Sequence, residues 1–201
     1  SEHEWVIVDG INGVLIINPD DIVLAEYRRK LRAYKSKQRE LSKLKDTAAT
    51  TEDGTQIELY ANIENAEDIK ALHKFGADGV GLFRSEYLYL NRDTLPDEEE
   101  QYGVYADIVK KMKGKPLTIR TVDLGVDKNP RWFGEGHALN PALGMTGIRL
   151  CLAEPMMFRT QMRAILRAAA HGPVKIMWPM ITSVDEVRQC INHLAVARKQ
   201  L

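Results

Sequence analysis

Three arginine-bearing segments hold the residues best able to do chemistry. They are GVGLFRSE, with Arg84; LTIRTVDLGVDK, with Arg120 and then Lys128; and NPALGMTGIR, with Arg149. Each arginine falls at or just after the end of a short apolar run bounded by turn or loop residues. A guanidinium is planar, permanently charged and offers paired N–H donors to phosphate or carboxylate oxygens. Arginines delivered from separate strand ends therefore describe a pocket for a small, multiply charged anion. A single such residue also has a plain structural reading, in which Arg84 pairs with Glu86, or Arg120 with Asp123. Two at successive strand ends, with Arg149 and Lys128 in the segment that follows, shift the balance to anion binding. A clamp of that kind stabilises the charge that moves in phosphoryl transfer.

Other reactive side chains read as structural. The five histidines, His3, His73, His137, His171 and His193, lack the glycine, serine or threonine surroundings of a phosphorylated histidine and suit the surface or helix ends. Cys151 and Cys190 fall in helical stretches without C-x-x-C or Cys/His zinc spacing, which favours buried packing in a reducing, cytoplasmic setting. The acidic run at 97–100 is the first turn of a helix and not a metal site. Lys+Arg and Asp+Glu are both 28, so the net charge is zero and no broad basic face for nucleic acid is expected. No apolar stretch is long enough to insert into a membrane, and no signal peptide is visible. The chain opens at Ser1 instead of Met, which hints at a piece of something longer.

The elements that must position these arginines follow from hydrophobic period. Residues 5–17, WVIVDGINGVLII, form a β-hairpin around Asp9, Gly10, Asn12 and Gly13. A charged helix over roughly 20–45 carries a thin apolar stripe that includes Leu24, Tyr27, Leu31, Tyr34 and Leu41, and reads best as a solvated connector. Residues 46–55 are a loop. Strands at 57–63, 79–84, 116–122 and 174–180 then alternate with helices at 65–75, after Pro96, across 144–170 with a break at Pro155, and from the capping box Ser183–Glu186. Alternation of this kind gives a parallel sheet, either doubly wound or half of a (β/α)8 barrel. The glycine-rich first turn of a dinucleotide fold is absent, which favours the half barrel.

The segments ANIENAEDI, GADGVGLFRSEYLYLNRDTLPDEEEQY, TIRTVDLGVDK, NPALGMTGIR, HGPVKIMWPMITSVDEV and VDGINGVLIINP resemble enzyme I of the phosphoenolpyruvate-dependent sugar phosphotransferase system, within the wider phosphoenolpyruvate (PEP)-utilising family. The resemblance covers almost the whole chain. It implies an α/β fold: the first half of a PEP-binding (β/α)8 barrel over 56–201, a connector helix and loop over 19–55, and the tail of a swivelling phosphohistidine domain over 1–18. It further implies that Arg84 and Arg120 bind the PEP phosphate, with Arg149 and Lys128 beside them. The partners implied are the carrier protein HPr and a second subunit, and the cofactor is Mg²⁺. The family's phosphorylated histidine is expected before Ser1 and its metal ligands and acid beyond Leu201, so this stretch is expected to be inactive alone. Thr146 stands where family members commonly carry an arginine. The alternatives are a dikinase or PEP synthase segment, or a non-catalytic anion-binding module.

Overall fold

The computed structural model describes residues 4–125 and 144–201. The chain divides into two compact units, Ser1–Ala48 and Ala49–Leu201.

In the first unit, β1 (Val6–Asp9) and β2 (Val14–Ile17) form the expected antiparallel hairpin, with Val6 opposite Ile17. The Asp9 carboxylate closes the turn by accepting from the Ile11 and Asn12 backbone N–H groups, both at 3.1 Å. Asp20 caps α1 (Asp21–Lys43) by accepting from Val23 N. None of the described residues in this unit is buried. The helix is thus amphipathic without a core of its own.

The second unit begins with a difference from the sequence expectation. Residues 46–55 are not simply a loop, and 57–63 is not one strand. Two-residue strands β3 (Ala49–Thr50) and β4 (Gln56–Ile57) pair antiparallel, and a separate β5 (Tyr60–Ile63) enters the main sheet. The Asp78 carboxylate accepts from Leu59 N at 2.8 Å, while Asp78 N donates to Leu59 O, which starts β5 three residues after β4 ends. Period alone cannot see a long-range anchor of this kind.

From there the βα rhythm holds. After β5 come α2 (Asp68–Phe75), β6 (Gly79–Arg84), α3 (Glu98–Lys111), β7 (Leu117–Arg120), α4 (Ile148–Ala153), α5 (Pro155–Ala168), β8 (Val174–Met177) and α6 (Val184–Lys199). Gly76 ends α2 in the left-handed conformation at φ 77°, and Pro155 opens α5, as the sequence signals. All four main strands are parallel and lie in chain order, β5-β6-β7-β8. A doubly wound sheet reverses its order at a switch point. These strands do not, so the sequential parallel order of a TIM-type domain is the architecture that fits.

The sheet is one-sided. Ile63, Val80, Phe83, Leu117 and Ile119 are buried, joined by Leu72, Ile108, Val109, Met112 and Ile165 from the helices. On the alternate register Leu82, Thr118 and Arg120 are only part-buried and Lys175 and Met177 are exposed. The helices α3, α5 and α6 pack side by side: Arg163 and Arg167 of α5 both pair with Glu98 at the start of α3, at 2.6 and 2.8 Å.

Candidate anion site at the strand ends

Arg84 is the last residue of β6 and Arg120 the last of β7, and the parallel register sets them directly opposite one another. Both line one cleft of about 310 Å³ together with Leu82, Glu86, Tyr87, Leu90, Asp123 and Leu124. That volume lies at the small end of known ligand sites. The cleft sits at the carboxyl ends of the strands, where barrel enzymes place their chemistry.

The two arginines are held differently. Arg84 donates from Nη1 to the Glu64 carboxylate at 2.8 Å, and both side chains are more than two-fifths exposed. Among the described residues the rest of its guanidinium fork has no hydrogen-bond or ion-pair partner. Arg120 is 20% exposed; its Nη2 contacts Glu86 and its Nη1 contacts Asp123 at 3.0 Å. Its Nε is buried without a partner, as is Oε2 of Glu86. Ser85, one residue past Arg84, donates from Oγ to the backbone oxygen of Arg120 at 2.5 Å.

The plain structural alternative for Arg84, a pair with Glu86, does not form among the described residues. Glu86 lies in a short 3-10 turn, Ser85–Leu88, that carries its carboxylate across to the next strand. Glu64, just past β5, takes the place beside Arg84. The alternative pairing of Arg120 with Asp123 does form, and it coexists with a shared cleft instead of excluding one.

Arg149 lies in the first turn of α4 and donates from Nη1 to Gly144 O at 3.3 Å; it does not line the cleft. Lys128 lies outside the described residues. The two ends of the intervening segment meet beside the cleft: Gly125 bridges Thr146, and Gly147 N donates to Leu124 O at 3.2 Å. Thr146 is almost fully buried in that junction. Gly147 has φ +55°, and a Cβ there would stand 3.1 Å from Asp123 Oδ1, so the junction needs glycine.

Sequence reasoning passed over Glu64, Tyr87 and the leucines of the cleft. Glu64 had a usable signal in its position directly after a strand. Tyr87 and the leucines had none, because pocket lining by apolar residues looks like core in one dimension.

The acidic run behaves as a helix start. Asp97 caps α3 by accepting from Glu100 N at 2.8 Å, Glu98 and Glu99 pair with Arg167, and Glu100 pairs with Arg92. No group of three or more His, Cys, Asp or Glu is placed to hold a metal among the described residues. Glu86 and Asp123, the carboxylates in the cleft, are both engaged by Arg120. The described residues therefore do not fit a Mg²⁺ site.

The other described candidates sit in structural contacts, and His3 and His137 lie outside the described residues. His73 contacts Lys111 O at 2.9 Å, His171 the Tyr102 hydroxyl at 3.0 Å, and His193 packs edge-on to Phe158. Cys151 and Cys190 are free and buried. Burial pushes the Cys151 thiol up to about 12 and the Cys190 thiol up to about 11, so both stay protonated and weakly nucleophilic near neutrality. No helix among the described residues is long and apolar enough to cross a membrane.

Comparison with known proteins adds an independent line. The family described as PEP-utilising enzyme, PEP-binding domain, matches residues 38–201. The chain is 47% identical, over its whole length, to a phosphoenolpyruvate-protein phosphotransferase of Cupriavidus necator, of which it covers 35%. It is 46% identical to the protein of that name from Geobacillus stearothermophilus, across 92% of this chain and 32% of the relative. A third, from Bacillus subtilis, is 44% identical across 98% of this chain and 34% of the relative. The chain thus spans about a third of the length of the curated relatives it matches.

Proposed function

We propose, from the premise that this chain belongs to the PEP-utilising enzymes through their PEP-binding domain, that Arg84 and Arg120 grip the phosphoryl group of PEP in a phosphoenolpyruvate-protein phosphotransferase. The observation that carries the reading is the register. Two arginines occupy opposite register positions at the ends of adjacent parallel strands and share one small cleft.

The proposed chemistry uses this chain's residues for binding and charge stabilisation. Arg120, fixed by Glu86 and Asp123, is a pre-oriented donor; Arg84, on an exposed pair with Glu64, turns more readily toward a ligand. Both donate to the non-bridging phosphoryl oxygens. The bond from phosphorus to the enol oxygen breaks, a bond from phosphorus to a histidine nitrogen forms, and the enolate takes up a proton to leave as pyruvate. None of the described histidines lines the cleft, so the accepting histidine comes from outside them in this reading. The phosphoryl group then passes to a histidine of HPr, serving sugar uptake in the cytoplasm, with the whole protein acting as a homodimer. Mg²⁺ belongs to the proposal only through residues other than those described. Arg149 and Lys128 are proposed as secondary anion contacts.

Calorimetric titration of PEP into the intact protein carrying this chain tests the reading. Arg120→Ala and Arg84→Ala should each weaken binding about ten- to a hundredfold, the range of a charge-assisted hydrogen bond. Arg188→Ala, whose partner Asp185 is equally exposed, should change nothing. Unaltered PEP affinity in both strand-end variants would overturn it.

A further inference from the structure

Parallel strands are held in register by their ladder, but the ladder between β6 and β7 is irregular between Val80 and Phe83 and ends at the Arg84–Arg120 pair. Beyond that pair the spacing of the two strand ends must be fixed by something else. The structure places one buried amide there. Gln161 of α5 is 1% exposed. Its Nε2 donates to Ser85 Oγ at 2.9 Å and to the Tyr105 hydroxyl at 3.1 Å, and its Oε1 accepts from Val122 N at 3.0 Å. Ser85 follows Arg84 and donates onward to the Arg120 backbone oxygen; Val122 is two residues past Arg120. A single side chain therefore bridges the hydroxyl of the residue just beyond Arg84 to the backbone just beyond Arg120.

The bridge is itself braced. Tyr105 donates to Gln101 Oε1 at 3.2 Å, and Gln101 Nε2 donates to Pro96 O at 3.0 Å, which ties the chain of bonds to α3. Every polar atom of Gln161 is paired inside a buried setting, where hydrogen bonds are strong and directional. An apolar residue would fill the same core position more simply, so the polar choice calls for a role that packing does not supply.

We infer that Gln161, through Ser85, is a positioning residue that sets the separation of Arg84 and Arg120 at the anion cleft. Neither Gln161 nor Ser85 lines the cleft; both act through the strand ends. The inference rests on the proposed PEP site and deepens it.

Steady-state kinetics with PEP on the intact protein decide the matter, using Gln161→Leu, Ser85→Ala and, as the site control, Arg120→Ala. Ser85→Ala removes only a hydroxyl and remains informative if Gln161→Leu does not fold. The expected result is a KM for PEP raised about tenfold in Ser85→Ala, and in Gln161→Leu where it folds, with kcat at saturating PEP within about twofold of wild type. A role confined to stability would lower the melting temperature and leave KM per folded molecule unchanged. Wild-type KM in the folded variants, or a loss in kcat alone, overturns the inference if Arg120→Ala still loses PEP. If Arg120→Ala also behaves as wild type, the PEP site itself is what has failed.

Discussion

Arg84 and Arg120 share a register position but not an environment, and that difference is testable. Arg120 and Glu86 are 20% and 11% exposed, with one atom of each buried and unpaired. Removing the charge of Glu86 leaves a part-buried guanidinium short of a partner. Glu86→Gln should therefore lower unfolding free energy by about 1–3 kcal/mol in urea titrations. Glu64→Gln, which breaks an exposed pair, should cost about 0–1 kcal/mol. Equal costs would show that burial does not separate the two pairs. The thiols give a second check. With Cys151 and Cys190 buried and held protonated, a thiol reagent at neutral pH should label neither in the folded chain and both after unfolding. Rapid labelling under native conditions would contradict their placement. The arginines themselves were legible in sequence because a charged residue closing an apolar run is conspicuous. Asp123, three residues past Arg120, was legible too, but their other partners were not. Glu86 reaches the neighbouring strand and Glu64 comes from the strand on the other side, and such cross-strand choices depend on sheet order, which the local pattern does not encode.

Among the elements, those with a local cause were read well. The β6 strand occupies Gly79–Arg84 as expected, and α6 begins at the Ser183 box, where Glu186 N donates to Ser183 Oγ at 3.2 Å and the Glu186 carboxylate accepts from Ser183 N at 3.0 Å. The split of 57–63 went unseen because Asp78, distant in sequence, starts β5. The α4 helix depends on a backbone feature at its start. Gly147 adopts φ 55°, ψ −129°, a region that side chains disfavour, with Asp123 Oδ1 and the Met180 side chain against it. Gly147→Ala should cost about 1–3 kcal/mol and weaken PEP binding by displacing Asp123, the partner of Arg120. A fully stable variant with wild-type affinity would count against this. The contact between α3 and α5 carries a pH dependence of its own. Hydrogen bonds from Arg163, then Arg167, hold the Glu98 carboxyl below its ordinary 4.5. The unfolded chain keeps the ordinary value, so the stabilisation is complete above pH 4.5 and is lost as pH falls through the depressed folded value. Thermal unfolding across that acid range should be flatter for Glu98→Gln than for wild type. Parallel profiles would show that the ion pairs contribute nothing to stability.

For the molecule as a whole, the balance of covered and uncovered surface matters most. Parallel sheets occur almost only with both faces covered. Here β5 to β8 bury one face under helices and leave Lys175 and Met177 exposed on the other. Among the described residues the edge strands β5 and β8 each pair on one side only. Trp5, Val8 and Ile11 of the first unit are also exposed, at 69%, 76% and 78%. Unpaired edges and uncovered apolar residues both favour association. The chain of 201 residues, prepared alone, should therefore associate with itself as concentration rises, which light scattering coupled to size exclusion would record as a growing mean mass. The two units should also differ in local stability. Amides of β6, β7, α3 and α5 lie in well-buried core and should exchange slowest with deuterium, whereas those of α1, which buries no residue, should exchange fast. A mass that stays monomeric over a hundredfold concentration range (about 1–100 μM), with α1 protected as strongly as β7, would mean that the open face and the coreless helix are already satisfied within a single chain.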